Sequence, residues 1–342
     1  MTAMRTEIGQ QPAALRATLD ALMPRGGEAA ALARDCRQVL FIARGTSDNA
    51  AVYGSYLLQA HAGMLATLAS PSIATEYHAR MDLSGVLAVA LSQSGATEEI
   101  VETLDWAREC GARTLAITNG GGSPLTQVAD VAFVTAAGAE LAVPATKTFT
   151  TQLAALAVLA IALGADLDPG LLRSVPDEIE RMLAAPPDLA PMVSELAGAS
   201  GVVVSGRGHA YAAALELALK LKEACYLHAM GLSWADLLHG PIAVVDAATP
   251  AIIVAADSGP ALPGSIELAR RVVAAGARAY AIGGGPGLAE ASSLAVPGPR
   301  LPEWLAPLGL IVPGQLLTEA LSRRLGIDPD SPRGLSKVTQ TA

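Results

Sequence analysis

Along this chain, short runs of uninterrupted apolar residues alternate with longer stretches in which apolar positions recur at helical spacing. The first half carries QVLFIA (38–43), VLAVALS (86–92), TLAITN (114–119) and VAFVTAA (131–137). The second carries GVVVSG (201–206), AIIVAA (251–256), AYAIGG (279–284) and LGLIVP (308–313). A strand that is apolar on both faces is covered on both sides, and strands that alternate with helices pair in parallel. The pattern predicts an α/β protein whose parallel sheets are flanked by helices. The most apolar stretch, residues 153–165, is shorter than the ~20 residues a membrane span needs, and reads as a helix buried in a core or subunit interface.

The two halves echo each other. FIARGTSDNAAVYG parallels VSGRGHAYAAALEL, VALSQSGATEEI parallels VAADSGPALPGS, and CGARTLAIT parallels AGARAYAIG. The offset from Arg44 to Arg207, Ser94 to Ser258 and Gly111 to Gly276 is nearly constant, which points to a duplicated α/β unit. At 342 residues the chain also exceeds what one core usually serves, so two domains of roughly 150 residues are expected. The boundaries expected are an N-terminal helical segment at 1–38, a first domain at 39–183, a second at 192–326 and a tail at 327–342. The Pro-rich stretch 184–191 is read as the linker.

Composition narrows the class. Half of the residues are hydrophobic but only 4% aromatic, so the cores must be packed from Ala, Leu and Val. A net charge of −9 without a basic cluster argues against nucleic acid as a partner. Cys36, Cys110 and Cys225 are far apart and lack metal-ligand spacing, which is the usage of a reducing compartment. The polar-leading N-terminus has no signal-peptide core, so a cytoplasmic protein without a membrane partner is expected.

Two stretches carry chemistry. In ALSQSGATEE an apolar strand runs into Ser92, Gln93, Ser94, Gly95 and Thr97 before a helix begins. Exposed N–H groups at a helix start, joined by hydroxyls, suit a phosphate. Plain N-capping needs one hydroxyl, and this loop offers several. The second copy, AADSGPALPG, keeps Ser258 and Gly259 but inserts Pro260 and Pro263, which have no N–H to donate, so one phosphate site rather than two is expected. No Walker-type lysine is present, which argues against a nucleoside triphosphate. ARGTSDNA adds Thr46 and Ser47 at a second strand-to-helix turn on the same sheet edge, where ligands of open α/β folds bind.

The other stretch is LKLKEACYLHAMGLSWADLLHGP (219–241), on a helix expected from Ala210 to about Leu227. Glu216, Lys220 and Glu223 share one face of it. Such spacing alone describes an ordinary surface salt-bridge ladder. The interleaved Leu215, Leu217, Leu219 and Leu221 leave little of the helix for solvent, and His239 follows an apolar segment just before Gly-Pro. A glutamate in an apolar pocket has its pKa raised toward neutrality, and a histidine titrates there already, which makes these residues candidate proton carriers.

These motifs, GTSDNA, SQSGATEE, VPATKTFTTQ, ALKLKEACYLHAMGLSWADLLHGP and GIDPDSPRGLSKVTQT, resemble the sugar-isomerase (SIS) family from about Val39 onward. More narrowly they resemble the isomerase half of glutamine–fructose-6-phosphate aminotransferases and the type II glucosamine-6-phosphate deaminases, and the closing KVTQT is most similar to the deaminase branch. The resemblance implies two SIS-type subdomains, each a five-stranded parallel sheet flanked by helices, in a homodimer whose active site is shared between subunits, with no cofactor and no metal. It implies that Ser47, Ser92, Gln93, Ser94 and Thr97 bind the 6-phosphate of a hexosamine, and that Gly45, Thr46, Val143 and Ala145 line the sugar. Glu223 matches the base moving a proton between C1 and C2, and Lys220 the lysine beside the enediol oxygen. His239 matches the ring-opening histidine that reaches in from the neighbouring subunit, and Lys337 the tail lysine at the carbonyl end. Two departures fall around the sugar: Met230 replaces an acidic residue and Ala145 a serine.

The implied function is an amino-sugar-phosphate isomerase. A chain beginning Met-Thr has no N-terminal cysteine nucleophile to supply ammonia, so the reaction is expected to run toward deamination, giving fructose 6-phosphate and ammonia. The alternative is a dehydratase, in which removal of the C2 proton is followed by loss of the C3 hydroxyl from an amino- or N-acetylamino-sugar 6-phosphate. A third reading, a non-catalytic sugar-phosphate sensor, is disfavoured by the complete acid–base set.

Overall fold

The computed structural model describes residues 1–337; Val338 to Ala342, and with them most of the closing KVTQT motif, lie outside the described residues. The fold contains two five-stranded, wholly parallel sheets. One sheet comprises β1 (Gln38–Ile42), β2 (Leu65–Leu68), β3 (Val86–Leu91), β4 (Arg113–Thr118) and β5 (Val131–Val134), in the order β2-β1-β3-β4-β5. The other comprises β6 (Gly201–Gly206), β7 (His228–Ser233), β8 (Ala251–Ala255), β9 (Ala279–Gly283) and β10 (Leu294–Val296), in the order β10-β9-β8-β6-β7. Read from β7, the second order repeats the first strand for strand, so the repeat seen in sequence is a repeat of topology.

Two compact units hold these sheets. The β1–β5 unit is built from residues 13–140 and 147–174 with Ser336 and Lys337, and the β6–β10 unit from residues 1–12, 141–146 and 175–335. In the β1–β5 unit all six residues of β3 are buried, because helices cover both faces of the sheet. One face carries Val86, Ala88 and Ala90 against Ile100, Leu104 and Ala107 of the helix Glu98–Glu109. The apolar run near residue 153 lies in the helix Lys147–Ala162, most of which is buried, and that helix packs along the helix Gly45–His61.

In the β6–β10 unit, Ile253, Ala279 and Ala281 meet Leu268 and Val272 of the helix Leu262–Ala274. The long helix Tyr211–Cys225 packs against the helix Ala306–Arg324. The run LGLIVP, expected as a strand, belongs to that second helix. A short apolar run cannot distinguish a covered strand from a helix buried on every side, and residues 306–319 of this helix are buried throughout. The strands that complete the sheets, β2, β7 and β10, had no apolar run to announce them. Each lies at a sheet edge with mixed burial.

Candidate active site

In the β1–β5 unit the strand order reverses between β1 and β3, so the loops leaving their carboxyl ends diverge and open a crevice, the usual ligand position of such sheets. The first turn of the helix Gly45–His61 places Gly45, Thr46 and Ser47 on one side, and the loop after β3 places the stretch from Ser92 to Thr97 on the other. The second loop rests on the segment that follows β4. Asn119 N–H donates to the Gln93 carbonyl (3.1 Å), Leu125 N–H to the Gly95 carbonyl (3.0 Å), and Ser92 N–H to the Ile117 carbonyl (3.1 Å). Gly95 adopts φ +65°, and a Cβ there would lie 2.1 Å from Ser123 Oγ, so only glycine fits.

Inside the loop, Ser92 Oγ accepts the Gly95 N–H (3.1 Å) and lies 3.4 Å from Thr97 Oγ1, while Ser94 Oγ accepts the Ala96 N–H (3.2 Å). Thr97 occupies the N-cap position of the helix Glu98–Glu109, yet its hydroxyl makes no capping bond. Capping therefore does not explain this threonine. Across the crevice, buried Ser47 accepts a hydrogen bond from the Gln152 amide (2.9 Å). Arg44, which precedes the helix Gly45–His61, grips Glu99 with two bonds (2.9 and 2.8 Å) and offsets an acidic charge at the first turn of the neighbouring helix.

The β6–β10 unit carries the candidate proton-transfer group on the helix Tyr211–Cys225. A 3-10 turn, Gly208–Ala210, precedes this helix, and it ends where Tyr226 turns left-handed (φ +56°). The expected ladder exists, but it is not at the surface. Lys220 Nζ lies 3.3 Å from Glu216 Oε1 and 2.5 Å from Glu223 Oε2, with side-chain exposures of 1% for Lys220, none for Glu216 and 22% for Glu223. The apolar pocket expected around Glu223 is thus an ionic one. Burial alone would drive Lys220 toward the neutral amine, but the two carboxylates overcome it and hold its pKa above the ordinary lysine value. Lys220 is a fixed ammonium, and Glu223 is the member of the group that solvent reaches.

The remaining expected residues are scattered among other contacts. His239 is exposed at the end of the helix Trp234–Leu238, just before Gly240 at φ +130°. Val143 N–H donates to the Asp330 carbonyl (2.9 Å), and the Asp330 carboxylate in turn accepts the N–H groups of Ala3 and Met4 (2.7 Å each). Ala145 is at the limit of burial and Met230 is exposed. Lys337 donates to Glu140 (2.8 Å), a residue that no sequence motif marks. Among the described residues, no group of three or more His, Cys, Asp or Glu side chains is arranged to hold a metal ion, and no helix is long and apolar enough to cross a membrane.

The strand order of the β6–β10 unit reverses between β6 and β8, giving a counterpart of the hydroxyl-rich crevice. Glu303 stands there. A Cβ on Gly259 would lie 2.3 Å from Glu303 Oε2, and one on Gly208 would lie 3.3 Å from its Oε1. His209 Nδ1 is 3.7 Å from the same carboxylate, and burial raises the pKa of Glu303. An internal carboxylate stands where the sister unit has its hydroxyl-rich loop.

The SIS domain model matches residues 32–162 and 195–292. The chain is 34% identical over 340 residues to the glutamine–fructose-6-phosphate aminotransferase of Methanothermobacter thermautotrophicus, covering 98% of this chain and 56% of that protein. It spans little more than half the length of the curated relatives it matches. The crystal structure of a provisionally named phosphosugar isomerase from Silicibacter pomeroyi DSS-3 superposes with a TM-score of 0.87 at 33% identity, over 96% of this chain and 100% of that one. The C-terminal domain of the Francisella tularensis glucosamine–fructose-6-phosphate aminotransferase gives a TM-score of 0.87 at 27% identity, covering 97% and 98% of the two chains.

Proposed function

The chain belongs to the SIS domain family, and from that premise we propose that it is an amino-sugar-phosphate isomerase of the deaminating type, converting glucosamine 6-phosphate and water to fructose 6-phosphate and ammonia. The observation that carries this reading is the buried ammonium of Lys220 between Glu216 and Glu223, with Glu223 alone partly open to solvent. An aldose–ketose shift needs a base for a C–H proton and a fixed positive charge for the oxygen that becomes an enolate. Glu223 and Lys220 are suited to those two tasks.

In this reading the hydroxyls of Ser47, Ser92, Ser94 and Thr97, with Gln93, hold the 6-phosphate, and Gly45, Thr46, Val143 and Ala145 lie along the sugar. His239, contributed by the partner subunit of a homodimer, opens the ring, and Lys337 attends the carbonyl end. Glu223 takes the proton from C2 of the open-chain aldose and returns it to C1. Lys220 bears the oxygen charge of the intermediate. The product is a C2 imine, and water hydrolyses it to the ketone and ammonia. The names of the similar aminotransferases support the choice of an amino-hexose 6-phosphate as substrate.

The test is incubation of the protein with glucosamine 6-phosphate, measuring ammonia and fructose 6-phosphate, alongside N-acetylglucosamine 6-phosphate followed by ultraviolet absorbance. Equimolar ammonia and fructose 6-phosphate from the first substrate are expected. A new chromophore from the second, with no ammonia from the first, would replace deamination by elimination of the C3 hydroxyl.

A further inference from the structure

Glu140 is a buried carboxylate that the acid–base helix does not use. It lies in TAAGAELAVPATK (135–147), a stretch of mostly small and apolar residues, and its side chain has no exposed surface. Its Oε1 accepts the Thr148 N–H (3.1 Å), and its Oε2 accepts the Thr148 hydroxyl (2.6 Å) and the Lys337 ammonium (2.8 Å). Thr148 is in the first turn of the helix Lys147–Ala162, so the carboxylate closes a helix start with one oxygen and meets a distant lysine with the other.

A helix start does not require a buried charge, since Ser, Thr or Asn caps as well as Asp. A buried carboxylate is costly unless a cation and hydrogen bonds meet it. A cation is therefore the informative contact, and Lys337 supplies one. Lys337 keeps 25% of its side chain exposed. The side chain is thus anchored at its ammonium while part of it meets solvent, as suits a group that must be held in place near a site.

We propose that Glu140 is the positioning residue for Lys337: its buried carboxylate docks the C-terminal tail through the lysine ammonium and sets where that ammonium stands. The catalytic half of this inference rests on the reading above, in which Lys337 attends the carbonyl end of the sugar. Docking itself does not depend on it.

Hydrogen–deuterium exchange of the peptide containing Ser336 and Lys337, measured without substrate, reads the docking. Glu140→Gln, which can still accept from Thr148 but carries no charge, is expected to speed that exchange roughly 10-fold or more, as local opening becomes easier. Lys337→Gln should give the same increase, and the two changes together no more than either alone, because they break one contact. Glu140→Asp keeps the charge and should recover part of the protection. In turnover, Glu140→Gln should lower kcat about 10–100-fold while KM for the sugar phosphate stays within about twofold, the pattern of a misplaced group rather than a lost binding contact.

Unchanged exchange in Glu140→Gln overturns the proposal, as does additive exchange in the double variant. A kcat loss that merely follows global unfolding, without rescue by Glu140→Asp, overturns it too. If Glu140→Gln does not fold, Lys337→Gln leaves the carboxylate and its helix contact in place and reports the docking from the other side. Normal turnover in Lys337→Gln alongside the expected exchange would sink the catalytic role of Lys337 and leave the dock standing.

Discussion

Replacing Lys220 with methionine tests the buried ion group most directly. Methionine fills a similar volume without charge, so the change removes the ammonium with little disturbance of packing. Glu216, with no exposed side-chain surface, then loses this cation at a place bulk solvent does not reach. Removing one partner of a buried pair costs about 3–5 kcal/mol. The loss should depend on pH. Without the ammonium between them, buried Glu216 and partly open Glu223 are like charges on one helix face, which favours uptake of a proton, so at least one folded-state pKa rises above the ~4.3 of an unfolded glutamate. A group raised in this way contributes stability that is fully present below its unfolded pKa and is lost as pH rises through its folded pKa. The deficit is therefore smallest near pH 4 and reaches its full size above neutrality. In the wild-type chain the sign applies to the lysine: its pKa is held above the ordinary 10.5, so its contribution persists through neutral pH and is lost only as pH climbs past that folded value. Urea unfolding of both proteins at pH 5 and pH 8, followed by circular dichroism, measures the difference. Adding Glu216→Gln to Lys220→Met should restore part of the stability at pH 8. A loss under about 1 kcal/mol, equal at both pH values, would mean the lysine is solvated as in a surface ladder and would refute the argument.

Three further outcomes are expected. Glu223→Gln should lower turnover by about 10²–10⁴-fold with KM little changed, and the wild type but not the variant should exchange the substrate C2 hydrogen, or carry label to C1, in heavy water. Thr97→Ala should weaken hexose 6-phosphate binding by roughly 1.5–3 kcal/mol with melting temperature nearly constant, whereas Ser92→Ala should weaken it and also lower the melting temperature, because the buried Gly95 N–H loses its acceptor; calorimetric titration reads the affinities, and unaltered affinity in both would remove the phosphate assignment. Mixing inactive Glu223→Gln chains with inactive His239→Ala chains should restore activity if His239 serves the partner's site, and no recovery after confirmed subunit exchange would put both residues in one chain's site.

What the sequence discloses follows from how local each interaction is. Strands such as β3 and β8 are covered on both faces and show as apolar runs, whereas β7, which exposes His228 and Met230 at a sheet edge, does not. The run at 308–313 looks like a strand because burial on every side erases helical periodicity. The contacts of Lys220 were legible because Glu216 and Glu223 are its neighbours on one helix, three and four residues away. Glu140 was not, since its lysine is 197 residues further along the chain. Only its oddity as a single acid among small residues marked it. The hydroxyls of Ser92 and Thr97 sat in a readable strand-to-helix turn, but that the Thr97 hydroxyl makes no capping bond to its own helix appears only in the fold.

The matching strand orders of the two sheets, with hydroxyls at one reversal and Glu303 at the other, bear on how such a protein can change. A loop that cradles an anion needs open backbone, glycine and polar surface, whereas a helix that holds an ion cluster out of water needs tight apolar neighbours. In a symmetric assembly of single-copy units every copy has to satisfy both demands, and any substitution that helps one is imposed on the other. Tandem copies in one polypeptide are inherited separately. The β6–β10 copy accepts prolines and a carboxylate where its sister carries hydroxyls, and the sister need not preserve the Glu216–Lys220–Glu223 face. Under the proposed function, duplication works as a division of labour, and mutations in each copy are screened against one task instead of two.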